Sequence, residues 1–258
     1  MLGFIGVGHL ATVIINSILE NKIELPENII IYDKIKAQTD KIDGVSPAGS
    51  EAELCNLCDI IFLAVRPADV QGALIAMKDT CIEKTLVSCC AGISTEFIGR
   101  TIKNCNIIRV MPNTPMMLEK GASAVANNSC GEQINKEITR IFEKMGVVKY
   151  IPEEQMDIAT AVSGSGPAYF YYFIKTIADF AKDRGMDYDI ALALATATMD
   201  GAAEMLAKSG FSPEELLTQV ATPNGTTIQA LNYFDECNIK ADITEALEKC
   251  RLKARGNN

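Results

Sequence analysis

The stretch Leu2-Gly3-Phe4-Ile5-Gly6-Val7-Gly8-His9-Leu10-Ala11 decides how the rest of the chain is read. Leu2–Ile5 is a short apolar run, and beyond Gly8 the apolar residues take up helical spacing over 10–20. The pattern is strand, tight turn, helix. Gly6 permits the turn, Gly8 lets the main chain approach a pyrophosphate, and Ala11 lets the helix pack closely on the strand. The first-turn N–H groups of that helix then face an anion. Gly6, Val7, Gly8, His9 and Leu10 are therefore expected to hold a dinucleotide, the alternative being an ordinary strand-to-helix turn.

Working outward, β-rich runs follow at 28–32, 59–65, 85–89 and 106–110, with helical patterns at 51–57, 68–78 and 95–102 between them. The runs are continuously apolar rather than alternating, as in parallel strands buried on both faces. A strand at 122–126, a helix at 132–145 and a strand at 147–151 complete this half. Past Ile151 the strand signals stop. Helical patterns occupy 167–184, 188–209, 213–220, 226–235 and 239–254, with Gly185 and Gly210 suited to helix ends and Pro213 to a helix start. The expected fold is an α/β Rossmann-like doubly wound sheet over 1–152, followed by an all-α domain over 153–258. Residues 190–199 are small and apolar nearly all round, which calls for burial on several sides and so for a subunit interface.

The bulk properties fit a soluble globular protein of one or two domains: 258 residues, 48% hydrophobic and 22% charged. A formal net charge of −9 repels phosphate backbones and argues against a nucleic-acid partner. The sequence shows neither a basic leader nor an evident membrane span, so a cytoplasmic protein is expected. Nine cysteines then read as reduced thiols. Cys55 and Cys58 form one CxxC with no second pair and a single histidine in the chain, which speaks against zinc. That histidine, His9, lies in the glycine turn and is badly placed as a general base.

Further motifs sit where strands end. Asp33 closes the second strand, where an acid bonds a ribose 2′-hydroxyl and repels a 2′-phosphate. Lys34 and Lys36 oppose this, since either can pair with that phosphate. The expected cofactor is NADH or NADPH, with Asp33 tipping the balance towards NADH. Ala64-Val65-Arg66-Pro67, the Ala91-Gly92 step and Met111-Pro112-Asn113-Thr114-Pro115 close later strands, and the last is a stiff polar loop suited to walling a nicotinamide. Ser163-Gly164-Ser165-Gly166-Pro167 and Thr222-Pro223-Asn224-Gly225-Thr226-Thr227 each lead into a helix. The N–H groups after Gly225 can hold a carboxylate, although a plain helix cap gives the same pattern.

These segments, in this order along almost the whole chain, resemble pyrroline-5-carboxylate reductases. The blocks Met111-Pro112-Asn113-Thr114-Pro115 and Ser163 to Tyr169 are specific. The resemblance implies reduction of 1-pyrroline-5-carboxylate to L-proline and a helical domain that forms a homodimer or larger homo-oligomer. It also implies that Thr222, Gly225, Thr226 and Thr227 hold the imino acid, with Thr227 the proton donor and Thr160 and Ser163 lining the same pocket. Ala91 and Asn113 would flank the nicotinamide. The family usually has Lys at Arg66, Ser at Thr222, Gly at Asn224 and an acid near Lys175. Three other readings compete: a reductase of another cyclic imino acid, a β-hydroxyacid dehydrogenase using Lys175, and a nucleotide-binding paralogue without turnover.

Overall fold

The computed structural model describes residues 1–255; residues 256–258, the end of the expected second domain, lie outside the described residues. Two compact units emerge. One comprises Met1–Pro167 with residues 250–255, and the other is Ala168–Lys249.

The first unit is built on an eight-stranded sheet. Its strands are β1 (Leu2–Ile5), β2 (Ile29–Tyr32), β3 (Ser46–Pro47), β4 (Ile60–Leu63), β5 (Thr85–Ser88), β6 (Asn106–Met111), β7 (Gly121–Ala126) and β8 (Gly146–Ile151). Their order is β3-β2-β1-β4-β5-β6-β7-β8. Pairing is parallel from β3 to β6, antiparallel between β6 and β7, and parallel again between β7 and β8. Helices α1 (His9–Glu20), α2 (Lys36–Thr39), α3 (Glu51–Leu57), α4 (Val70–Met77), α5 (Thr95–Thr101), α6 (Glu132–Glu143) and α7 (Met156–Ala159) link the strands or follow them.

Successive strand residues point to opposite faces, and the core divides accordingly. Phe4, Ile29, Ile31, Phe62 and Val87 share one cluster with Ile14 and Ile18 of α1 and Ile141 and Phe142 of α6. Ile5, Ile30, Ile61, Leu63 and Leu86 share the other with Leu54 of α3, Leu74 of α4 and Ile98 of α5. Phe4 lies opposite Phe62 in the β1–β4 register, and their rings stack at 4.6 Å. Helices thus cover both faces, as the continuously apolar strands require. The doubly wound arrangement leaves the carboxyl ends of β1, β2 and β4 side by side at the glycine turn.

In the second unit the described elements are all helices, joined by turns. It holds the body of α8 (Gly166–Lys182), α9 (Tyr188–Lys208), α10 (Pro213–Val220), α11 (Thr226–Glu236) and most of α12 (Ile239–Ala254). Asp187 caps α9, and Ser212 with Glu215 forms a capping box on α10, where Pro213 takes the first turn. Large apolar side chains such as Phe170, Tyr172, Ile177, Phe180, Ile190 and Leu194 are exposed, while Ala178, Ala191 and Ala195 are buried. Helix α9 is long and apolar enough in composition to cross a bilayer, at a mean hydropathy of 1.3, where the sequence shows no evident span. Its length and small side chains equally suit a helix covered by protein.

Candidate functional site

The glycine turn has the form that its sequence demands. Gly6 adopts φ +86°, and a Cβ there would meet the Ala64 main chain at 2.9 Å. Glycine is therefore required for both conformation and space. Gly8 is different: a Cβ would meet nothing within 4 Å, so the residue keeps open the space in front of α1. Gly8 is also the N-cap of α1 and has no side chain to cap it. The first-turn N–H groups of α1 are left for a ligand or water. His9 is exposed at the first position of that helix.

A cleft in front of this turn is lined by Gly6, Gly8, Asp33, Ala64, Val65 and Arg66, with Lys34, Glu51 and Asp69 also on its walls. The Asp33 carboxylate accepts the Val7 N–H and the Ile35 N–H, each at 2.8 Å. It pins the glycine turn to the end of β2. Arg66 donates through Nε to Asp69 at 2.9 Å, and the Lys34 ammonium pairs with the other oxygen of the same carboxylate. Lys34 first, then Arg66, hold the Asp69 carboxyl below its usual range. Pro67 opens a short 3-10 turn, Pro67–Asp69, which fixes the Asp69 main chain. The Cys90 thiol donates towards the carbonyls of Leu63 and Val65, at 3.4 and 3.3 Å, and ties the end of β4 to the end of β5.

Ala91 and Gly92 follow. Gly92 takes φ +74°, and Ala91 packs against a small cluster containing Met111 and Met156. The turn runs into α5, where Ser94 accepts the Phe97 N–H and Glu153 accepts both the N–H (2.7 Å) and the hydroxyl of Thr95. Arg109 of β6 faces Glu153 at 3.6 Å and is almost wholly buried. Burial lowers the pKa of the Arg109 guanidinium, against the pull of Glu153. Its buried Nε has no partner among the described residues.

Asn113 is buried, donates to the Ser163 carbonyl at 3.0 Å and accepts the Ala122 N–H at 2.8 Å. It clasps the start of β7 to a π-helical turn, Thr160–Gly164, in which the Ser165 N–H reaches back to the Thr160 carbonyl at 2.8 Å. Such turns recur at functional sites because they widen the helix by one residue. The Thr160 hydroxyl donates to the Met156 carbonyl (2.7 Å) and the Ser163 hydroxyl to the Ala159 carbonyl (2.9 Å). Both oxygens keep lone pairs as acceptors.

In the helical unit, residues 222–227 form a tight corner. Asn224 sits at φ +63°, the left-handed region that asparagine tolerates. The Gly225 N–H donates to the Thr222 carbonyl at 3.0 Å, and a Cβ on Gly225 would lie 2.7 Å from the Thr222 hydroxyl. Gly225 is the N-cap of α11, with no side-chain cap, and Thr226 and Thr227 are its first two residues. Lys175 pairs with Asp179 on the exposed face of α8, and that carboxylate holds its pKa above the usual lysine range.

The expected residues thus fall into three groups. Gly6, Gly8, Asp33, Ala64, Val65 and Arg66 meet at the cleft, joined through the turn to Val7, His9, Leu10 and Pro67. Ala91, Gly92, Asn113, Thr160 and Ser163 gather around the ends of β5 and β6. Thr222 to Thr227 form their own corner in the second unit. Sequence reasoning overlooked Asp69 and Glu153. Asp69 lies three residues beyond Arg66 in a proline-led turn, a spacing at which side chains meet. Glu153 reaches Thr95 from 58 residues away and leaves no local signal.

A family profile described as pyrroline-5-carboxylate reductase dimerisation matches residues 153–257, and one described as NADP oxidoreductase, coenzyme F420-dependent, matches residues 1–92. The pyrroline-5-carboxylate reductase of Methanosarcina acetivorans is 32% identical over 98% of this chain and 96% of its own. That of Escherichia coli K12 gives the same identity and coverage. The chain belongs to the pyrroline-5-carboxylate reductase family. A crystal structure of Plasmodium falciparum pyrroline carboxylate reductase with NADP bound superimposes with a TM-score of 0.91 at 30% identity, covering 98% of this chain and 96% of that one. The pyrroline-5-carboxylate reductase likeness therefore spans the sheet and the helices alike. Its dimerisation match takes in both the π turn and the corner before α11.

Proposed function

We propose that this protein reduces 1-pyrroline-5-carboxylate to L-proline with a nicotinamide dinucleotide as hydride donor, acting as a cytoplasmic homodimer or larger homo-oligomer. The observation that carries this reading is the family likeness over 98% of the chain, to relatives bearing that name. The turn at Gly6 and Gly8 fits a dinucleotide on its own evidence, because the space in front of Gly8 is open and α1 lacks a side-chain cap.

In this reading the main chain of Gly6, Val7, Gly8, His9 and Leu10 holds the pyrophosphate, oriented by Asp33. Ala64, Val65, Arg66 and Pro67 form the facing wall, and Ala91, Gly92 and Asn113 bound the ring end. When bound, the reduced nicotinamide supplies a hydride to the carbon of the C=N bond. The N–H groups of Thr226 and Thr227, at the start of α11, hold the substrate carboxylate, helped by the helix dipole. Thr222 and Gly225 shape that corner, and Thr160 and Ser163 offer acceptors to the ring. The Thr227 hydroxyl passes a proton to the imine nitrogen and takes one back from water, so that hydride addition to the protonated imine gives the neutral amine. A protonated imine is already electrophilic, so the site mainly has to position its reactants. That suits a chain whose one histidine stands at the glycine turn. Lys175 is a poor general base near neutral pH: an exposed lysine is protonated there, and Asp179 raises its pKa further.

The cofactor preference leans to NADH. Lys34 and Arg66, the cations lining the cleft, are both engaged by Asp69. The exposed apolar faces of α8 and α9 support a homo-oligomer, since they need cover that the single chain does not give them.

The test is a steady-state assay of the folded oligomer with the five-membered imine and both reduced coenzymes. Turnover is expected near neutral pH, and a folded dimer that oxidises neither coenzyme with this imine would defeat the reading. Thr227→Val is expected to lower kcat by roughly tenfold or more while leaving coenzyme affinity unchanged, since it removes one hydrogen bond at the reacting end. An unchanged kcat would retire Thr227 as proton donor.

A further inference from the structure

We propose that Asp69 is the residue that sets the choice between NADH and NADPH, by pairing with both cations of the cleft in competition with a 2′-phosphate. This rests on the reading of the cleft as a nicotinamide dinucleotide site. The acid that sequence logic selects for this task, Asp33, already accepts two main-chain N–H groups and is fixed towards the glycine turn. Asp69 stands on the same walls and takes Arg66 Nε on one oxygen and the Lys34 ammonium on the other.

The stems decide how this balance responds to a ligand. Lys34 and Arg66 are long and well exposed, at 57% and 79% of their side-chain surface, so both can swing towards a bound phosphate. Asp69 is exposed to 24% and sits on a short stem in a turn closed by its own N–H donating to the Arg66 carbonyl at 2.8 Å. With its main chain held, its short stem gives the carboxylate little reach to follow the cations. A 2′-phosphate would have to take Lys34 and Arg66 from Asp69 and then remain beside that carboxylate. An unphosphorylated ribose meets neither cost. With Glu51 and Asp33 also on the walls, the cleft holds three acids against two cations. Asp69 is the acid whose removal releases both cations at once.

The experiment uses full-length wild type, Asp69→Asn and Asp69→Glu. Calorimetry with adenosine 5′-monophosphate and adenosine 2′,5′-bisphosphate reads the adenosine end, and kcat/KM with NADH and NADPH reads the whole reaction. Exposed ion pairs are individually weak, so a change of about tenfold is expected rather than thousandfold. Asp69→Asn should tighten the bisphosphate by that factor and leave the monophosphate unmoved. The NADPH to NADH ratio of kcat/KM should rise in step, and Asp69→Glu should keep the wild-type ratio. Changes equal for both nucleotides, or an unmoved ratio in a variant that binds them, would overturn the assignment alone. Wild-type protein that binds neither nucleotide and neither coenzyme would sink the cofactor reading and this inference with it.

Discussion

The Asp33 carboxylate accepts N–H groups from Val7 and Ile35, so its first effect is on the main chain of the glycine turn. A charged acceptor of two amide donors is worth more than a neutral one, and its loss leaves both donors to water. Asp33→Ala is therefore expected to weaken NADH and NADPH together, by roughly tenfold to a hundredfold, with their ratio nearly unmoved. Fluorescence titration of each coenzyme checks this. A large shift in ratio at unchanged NADH affinity would return the specificity role to Asp33. The position of this acid was legible from its distance beyond the glycine turn, but its partners were not, because sequence does not say which way a carboxylate points. At Asn224, where the family usually has Gly, the chain takes φ +63°, a conformation that asparagine tolerates. The Arg109–Glu153–Thr95 chain was hidden by sequence separation.

At the scale of elements, the parallel strands announced themselves through unbroken apolar runs such as Ile29–Tyr32 and Ile60–Leu63. The two-residue β3 is exposed and too short to leave a pattern, and nothing in Gly121–Ala126 reveals that β7 runs against β6. The π turn was equally hidden, since one extra residue in a helix breaks no periodicity that Thr160–Gly164 could display. Glycines mark where backbones close in. Gly146 pairs with Gly121 in the β7–β8 register and takes φ +139°, and a Cβ on it would run into the Gly121 carbonyl and N–H. Gly185 has a similar conformational demand, at φ +91°, but open space around it. Gly146→Ala should therefore cost about 3 kcal/mol or more, through strain and a main-chain collision together. Gly185→Ala should cost about 1 kcal/mol, from conformation alone. Urea midpoints of the two variants make the comparison. Equal losses would mean that the β7–β8 pair can part without penalty.

For the whole molecule, three of the nine free thiols, Cys58, Cys89 and Cys90, set a limit on the alkaline side, because burial raises each of them. Cys58, Cys81, Cys89 and Cys90 are buried about the sheet. Burial pushes the Cys58 and Cys90 thiols from an ordinary value of 9.0 up to about 11, and burial moves Cys89 upward as well. A raised pKa means that the folded chain keeps protons which the unfolded chain gives up. Stability from this source is complete below pH 9, is lost as pH rises, and is gone above about pH 11. At pH 10 each of the two thiols removes roughly 1 kcal/mol, a sizeable share of the ~5–15 kcal/mol that holds a domain together. The urea midpoint under reducing conditions should thus fall between pH 8 and 10. A Cys58→Ala, Cys90→Ala double variant should start lower at pH 8, because it leaves small cavities, yet lose less over the same interval. A midpoint whose pH slope is the same with and without these two thiols would show that other groups govern the alkaline limit.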